Sequence, residues 1–200
     1  MPILTEQDVR ERARRALRSD QVQRKACLPR DSREILRDLA GAPKTQYDIF
    51  VCHSTGDADL LLGIRGVLED LGYTPYIDWD EEAEPGPAAV TPESAERRRA
   101  QLQTARSLLY VAGGAFRPSC WLPWELGYFE GLREKVAILP VKDYVTDAFD
   151  VGGYLSIYPY CLREQNQSGQ DTLWVHKDSV HYVAFDHWLG TRNAQLAWRK

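Results

Sequence analysis

The spacing of apolar and polar positions changes near residue 46. Before it, apolar residues recur three and four apart: Val9, Ala13, Ala16 and Leu17 follow Thr5, and Ile35, Leu36 and Leu39 follow Asp31 and Glu34. That period predicts two helices, the first capped by Thr5 and the second opened by Asp31 and Glu34 as a capping box, with Gly41 and Pro43 ending it. From Gln46 onward strands and helices alternate. The run Tyr47 to Cys52 suits a parallel strand buried on both faces, and Leu60, Leu61, Ile64, Val67, Leu68 and Leu71 mark a helix that Gly72 closes. Thr74 to Asp78 gives a second strand. Thr91 and Pro92 fit the N-cap and first position of a helix that reaches Arg106. Ser107 to Ala112 and Val136 to Val141 are further strands, and a helix between them starts near Ser119.

Towards the end the pattern is less regular. Tyr154 to Cys161 predicts an edge strand, Asn166 to Asp171 a turn, and Leu173 to His176 a short strand. Ser179 is then expected to cap a closing helix whose buried side carries Tyr182, Phe185, Trp188 and Leu189 before Gly190. Alternating strands and helices with short links imply an α/β fold with helices on both faces of a parallel sheet. The expected architecture is flavodoxin-like, five-stranded in the order 2-1-3-4-5. Residues 1–44 form an N-terminal helical extension, and residues 45–200 form the main domain with its C-terminal strand and helix.

Composition narrows the function classes. Two hundred residues, 44% hydrophobic and 27% charged, suit one globular domain. No segment approaches the roughly 18 apolar residues of a membrane span, and Met1 to Thr5 lacks a signal-peptide core, so a soluble, cytoplasmic protein with no membrane partner is expected. The net charge of −4 is uneven: residues 1–40 hold ten Lys/Arg against seven Asp/Glu, or +3, which leaves −7 for the rest. Nucleic acid is a poor partner for that main body. The Arg10 to Arg18 stretch, flanked by Glu6, Asp8 and Glu11, reads as a solvated helix face. Cysteines 27, 52, 120 and 161 form no C-x-x-C pair and read as reduced thiols, and histidines 53, 176, 181 and 187 lack zinc-ligand spacing. Neither a metal nor a cofactor is expected.

With the order 2-1-3-4-5, the chain reverses direction between its first and third strands, and ligands bind beyond their C-terminal ends. That selects two loops, His53-Ser54-Thr55-Gly56-Asp57 and Gly113 to Ser119, the second opening the helix that bears Glu125. At about 100° per residue, with Trp121 at 0°, Glu125 falls at about 40°, between Leu132 near 20° and Phe129 near 80°, whereas Glu130 and Glu134 lie on the far side. A glutamate inside an apolar stripe loses hydration unless a partner meets it. The partner is either a backbone group or an arginine such as Arg117, or else the carboxylate faces a cleft prepared for positive charge developing on a sugar.

The segment Ser119-Cys120-Trp121-Leu122-Pro123-Trp124-Glu125-Leu126 resembles the Ser-x-Trp-Cys-x-x-Glu-Leu motif of the TIR (Toll/interleukin-1 receptor) family. Other segments agree with it. Tyr47-Asp48-Ile49-Phe50-Val51-Cys52-His53-Ser54 is similar to the family's opening strand, with Cys52 where serine is usual. Gly72 to Asp78 resembles its second strand, and Pro85-Gly86 lies in the loop where the family often has these residues, while Ser107 matches the serine before its third strand. The resemblance spans residues 46 to 162. Leu122-Pro123 departs from the motif, and Ser119 capping would place Pro123 near the fourth helical position.

The resemblance implies NAD+ as substrate and Glu125 as the catalytic residue, cleaving the nicotinamide–ribose bond to give ADP-ribose or a cyclic ADP-ribose-type messenger of antiphage immunity. The nucleophile that reaches C1′ decides the product. Residues placed by it near substrate are His53, Ser54, Thr55, Asp57, Asp78, Trp79, Ser119 and Trp121. Each has a plainer role beside that one. Trp121 either stacks on a base or packs in the core; Ser54, Thr55 and Asp57 either hold ribose or phosphate or cap the next helix; His53 either meets phosphate or binds backbone. Asp78, Trp79 and Asp80 either gate the pocket and touch a neighbouring domain or form a solvated loop. The resemblance also implies a homo-oligomer through TIR–TIR contacts and a separate effector protein that senses the product. Two other functions fit the same pattern: a non-catalytic adaptor that assembles through those contacts, and an N-glycosidase like the nucleoside deoxyribosyltransferases. A phosphorelay receiver is set aside, because Tyr110-Val111-Ala112-Gly113 offers no aspartate at the end of the third strand.

Overall fold

The computed structural model describes residues 3–24, 28–40, 46–54, 56–79, 91–113, 119, 121–142 and 153–199. Cys27, Gly41, Pro43, Thr55, Asp80, Pro85, Gly86, Arg117 and Cys120 lie outside them. Strand β1 (Leu4–Thr5) leads into helix α1 (Glu6–Arg24), where the Thr5 hydroxyl accepts from the Asp8 amide at 3.1 Å. Helix α2 (Ser32–Ala40) opens on the anticipated reciprocal box: the Glu34 amide donates to Asp31 and the Asp31 amide to Glu34, at 2.9 and 3.1 Å.

The α/β pattern then unfolds as β2 (Tyr47–Cys52), α3 (Ala58–Asp70), β3 (Pro75–Ile77), α4 (Pro92–Gln103), β4 (Ala105–Ala112), α5 (Leu122–Arg133) and β5 (Val136–Lys142). Strand β2 is buried on both faces, and α3 presents Leu60, Leu61, Ile64 and Leu68 to the core. Gly72 follows α3 at φ 90°, a conformation open to glycine at no steric cost. Helix α4 starts on Thr91 with Pro92 in its first turn, and Ser94 completes a capping box. Its end at Gln103 rather than Arg106 lets Ala105 and Arg106 join β4, where Ala105 pairs with Tyr47.

The sheet order is β3-β2-β4-β5-β6-β7-β8, with β6 (Tyr160–Gln165), β7 (Asp171–His176) and β8 (Tyr182–Ala184). Pairings from β3 through β6 are parallel, so the expected 2-1-3-4-5 core is present, but the sheet has eight strands and not five. The additions are β1, parallel to β5 through Leu4↔Val141, and the antiparallel β7 and β8. The predicted edge strand Tyr154 to Cys161 is corrected. Gly153–Ile157 is a 3-10 turn, and the strand starts at Tyr160 and runs inside the sheet, because the turn at Asn166 to Gln170 folds β7 back against it. The closing helix is also shorter than predicted. The Asp178 carboxylate takes the Val180 and His181 amides, Tyr182 and Val183 continue as β8, and only α6 (Phe185–Gly190) is helical.

Two apolar clusters lie on the two sheet faces. One joins α1, α2, α3 and α6 to Ile49, Val51, Leu109 and Leu139; the other joins α4 and α5 to Phe50, Cys52, Leu108 and Tyr110. Helix α1 crosses α3 so closely that a Cβ on Gly63 would collide with the Val9 carbonyl. Lys135, buried at the head of β5, donates to the Thr191 carbonyl and the Asn193 side chain and so fastens the C-terminal segment. Among the described residues, no helix is long and apolar enough to cross a membrane.

Candidate active site

Strand β2 lies between β3, which follows it in the chain, and β4, which comes after β3. The chain therefore reverses direction about β2, which makes the C-terminal ends of β2 and β4 the switch point at which ligands bind in such sheets. Cys52 ends β2, Asp78 follows β3, and Glu125 stands in the first turn of α5 on the same side of the sheet. The Ser119 hydroxyl accepts from the Trp121 and Leu122 amides at 3.1 and 3.2 Å and so caps the turn that starts α5. Leu122 is the first helical residue. Pro123 is therefore the second and not the fourth, a position where its missing N–H costs no helical bond.

Glu125 is 2% exposed, and both its oxygens are met. Arg98 donates to Oε1 at 2.6 Å, and the Cys52 thiol donates to Oε2 at 2.7 Å. Arg98 also reaches Asp78 at 3.0 Å and lies over the Trp121 ring at 4.9 Å. Burial pushes the Glu125 carboxyl above its ordinary range, while Arg98 and the Cys52 thiol pull it back. Burial acts to lower the Arg98 guanidinium, but Glu125 and Asp78 outweigh it and hold Arg98 charged. The result is a buried cluster of two carboxyl groups and one guanidinium, held by a thiol and an indole.

The other residues singled out in the sequence divide into two groups. His53 is half-buried, with Nε2 3.3 Å from the Asp78 carbonyl oxygen, which ties the end of β2 to the segment after β3. The Ser54 hydroxyl, in a residue 5% exposed, and the Trp79 indole N–H are buried without a hydrogen-bond partner among the described residues. Trp121 is buried and meets Trp124 edge-on at 5.6 Å. Asp57 is engaged elsewhere: it caps α3 through the Leu60 amide at 3.0 Å and pairs with Arg10 at 2.7 Å. Ser119 likewise spends its hydroxyl on the α5 cap.

Sequence reasoning missed Arg98 and the role of Cys52. The arginine that meets Glu125 comes from α4, whose one buried residue is Leu102. Arg98 stands four residues before it, on the same helix face, and that was the available signal. In sequence Cys52 is a reduced thiol where the family usually has serine, yet it alternates with Val51 onto the face that carries α5.

Comparison with known proteins decides the family. A protein of Bacillus cereus (strain MSX-D12) named "Probable 3' cyclic ADP-D-ribose synthase ThsB'" is 40% identical over 145 residues, covering 72% of this chain and 75% of that protein. The chain belongs to the TIR family. No family model matches it. The TIR motif that bears Glu125 thus sits on a TIR fold in which the glutamate faces the sheet's switch point.

Proposed function

We propose that this TIR protein is an enzyme that cleaves NAD+ at the nicotinamide–ribose bond and closes the ADP-ribosyl unit into a cyclic ADP-ribose-type signal for antiphage defence. The observation that carries the reading is the buried Glu125 carboxyl, met by Arg98 and Cys52 at the switch point of a TIR sheet. The kinship with a protein named as a cyclic ADP-ribose synthase supports the product class.

The chemistry asks little of the protein beyond one carboxylate. The C1′–N bond breaks with its electron pair going to the nicotinamide ring nitrogen, which leaves neutral, so no general acid is required. Positive charge develops on the ribose, and a fixed carboxylate stabilises it as glycosidase carboxylates do. A hydroxyl of the same molecule then attacks C1′ and gives up its proton, closing the ring; water in its place gives linear ADP-ribose. Ser54 and Trp79 offer the substrate polar atoms that have no protein partner, and the Trp121 face shapes the pocket. Assembly into a homo-oligomer through TIR contacts and a separate effector that reads the product complete the proposal.

The test is NAD+ consumption with product identification by mass spectrometry, run over a range of protein concentrations for wild type and Glu125→Gln. Wild type is expected to convert NAD+ to nicotinamide and a cyclic product, with specific activity rising on assembly, and Glu125→Gln to lose at least about a hundredfold. If both proteins fold and associate and neither consumes NAD+, the protein is an assembly module.

A further inference from the structure

A charge on a buried carboxyl needs compensation, and among the described residues four groups meet the Glu125 cluster. Strand β2 contributes the neutral Cys52 thiol, the segment after β3 contributes Asp78, and α4 contributes Arg98, while Trp121 contributes an apolar ring. His53 meets the Asp78 carbonyl. Of these, Asp78 opposes a charge on Glu125 and Arg98 favours it.

The Arg98 side chain is 18% exposed and is restrained on three sides: one nitrogen on Glu125, the other on Asp78, and the guanidinium plane against Trp121. A planar fork can bridge two carboxylates in this way, and a lysine ammonium cannot. An ionised carboxylate has about four lone-pair directions, of which Arg98 and Cys52 each take one.

We propose that Arg98 is the positioning residue of this site: bridging Asp78 and Glu125, it favours the charged form of Glu125 against its burial and fixes one oxygen of the carboxyl for the sugar. The inference rests on the NAD+ reading for its chemistry, but its central claim concerns the charge of Glu125 and can be read without turnover.

The experiment follows the carboxyl of Glu125 by carbon NMR in protein labelled at the glutamate side-chain carboxyls, with the signal identified by its loss in Glu125→Gln. In Arg98→Gln the titration midpoint of Glu125 is expected to rise by about one pH unit or more, and in Arg98→Lys to return most of the way. Asp78→Asn, which removes the opposing charge and keeps the side-chain shape, is expected to lower the midpoint; it also serves if Arg98→Gln does not fold. The acidic limb of kcat/KM for NAD+ should move with the NMR midpoint, since that limb reports the free enzyme. An unmoved midpoint in Arg98→Gln or Asp78→Asn overturns the proposal. So does faster turnover by Arg98→Gln at neutral pH, which would make Arg98 a plug in place of a support. If the midpoints move as expected while wild type consumes no NAD+, the enzymatic reading fails and the assignment of Arg98 stands.

Discussion

Removing a carboxylate from water costs several kcal/mol unless other groups replace the lost hydration. At Glu125 the replacement comes from elements far apart in sequence, a strand end and a helix face. The Cys52 thiol is the weaker of the two donors, and its worth can be measured. Cys52→Ser keeps a donor of similar size and is expected to hold NAD+ turnover within about threefold of wild type. Cys52→Val removes the donor and should lower kcat/KM by roughly 10- to 150-fold, in line with the roughly 1.5 to 3 kcal/mol of a hydrogen bond to a charged group. Equal turnover by the two variants would show the thiol contact to be idle. At this scale the sequence carried Glu125 clearly, because a charge inside an apolar stripe is conspicuous. Its partners were hidden, since Arg98 sits in a run of three arginines, where a solvated face is the ordinary reading, and Cys52 differs by one atom from the usual serine.

Elements were most legible where burial on both faces enforces a continuous apolar run, as in β2 and β5, or where a cap and an apolar period coincide, as in α2 and α3. They were least legible after residue 153. There the hairpin of β6 and β7 is set by side chains that bind their own turn: the Asn166 side-chain oxygen accepts the Ser168 and Gln170 amides, at 2.9 and 3.1 Å. Within this meander His176 is 4% exposed, stacked between Tyr160 at 5.3 Å and Tyr182 at 5.5 Å, with both ring nitrogens unpartnered. Burial holds its pKa below the ordinary 6.5, against the pull of Glu164 and Asp178. As the pH falls below that value the unfolded chain takes up a proton that the folded one refuses, so the stability His176 contributes is present above 6.5 and is lost as the pH falls through the lower folded value. Thermal unfolding scans between about pH 7.5 and 5.5 should show wild type losing more Tm than His176→Phe. Parallel curves would mean that the ring is already compensated.

Over the whole molecule, the five parallel strands place the crevice and the additions brace it from outside. Asp57 shows how the two are joined: it caps the helix that leaves the crevice, and through Arg10 it holds α1. The sheet order was legible because short links and buried strands leave few topologies, whereas β1 was not, since two residues carry no period. That small strand shares one edge of β5 with β6: β1 pairs at Val141 and Lys142, and β6 at Ile138. Its partners lie more than a hundred residues along the chain, and the central strands pair with one another without it. The first strand and helix can therefore come away together without opening the sheet, at a free-energy cost below that of global unfolding. In native-state hydrogen exchange, the amides of Leu4 and of the α1 interior should form one isotherm, distinct from and faster than that of β2 and β4. Gly63→Ala, by forcing α1 off α3, should speed that first isotherm alone. The molecule would then have two melting units written into one sheet, with the boundary running along the β5 edge and along the glycine contact.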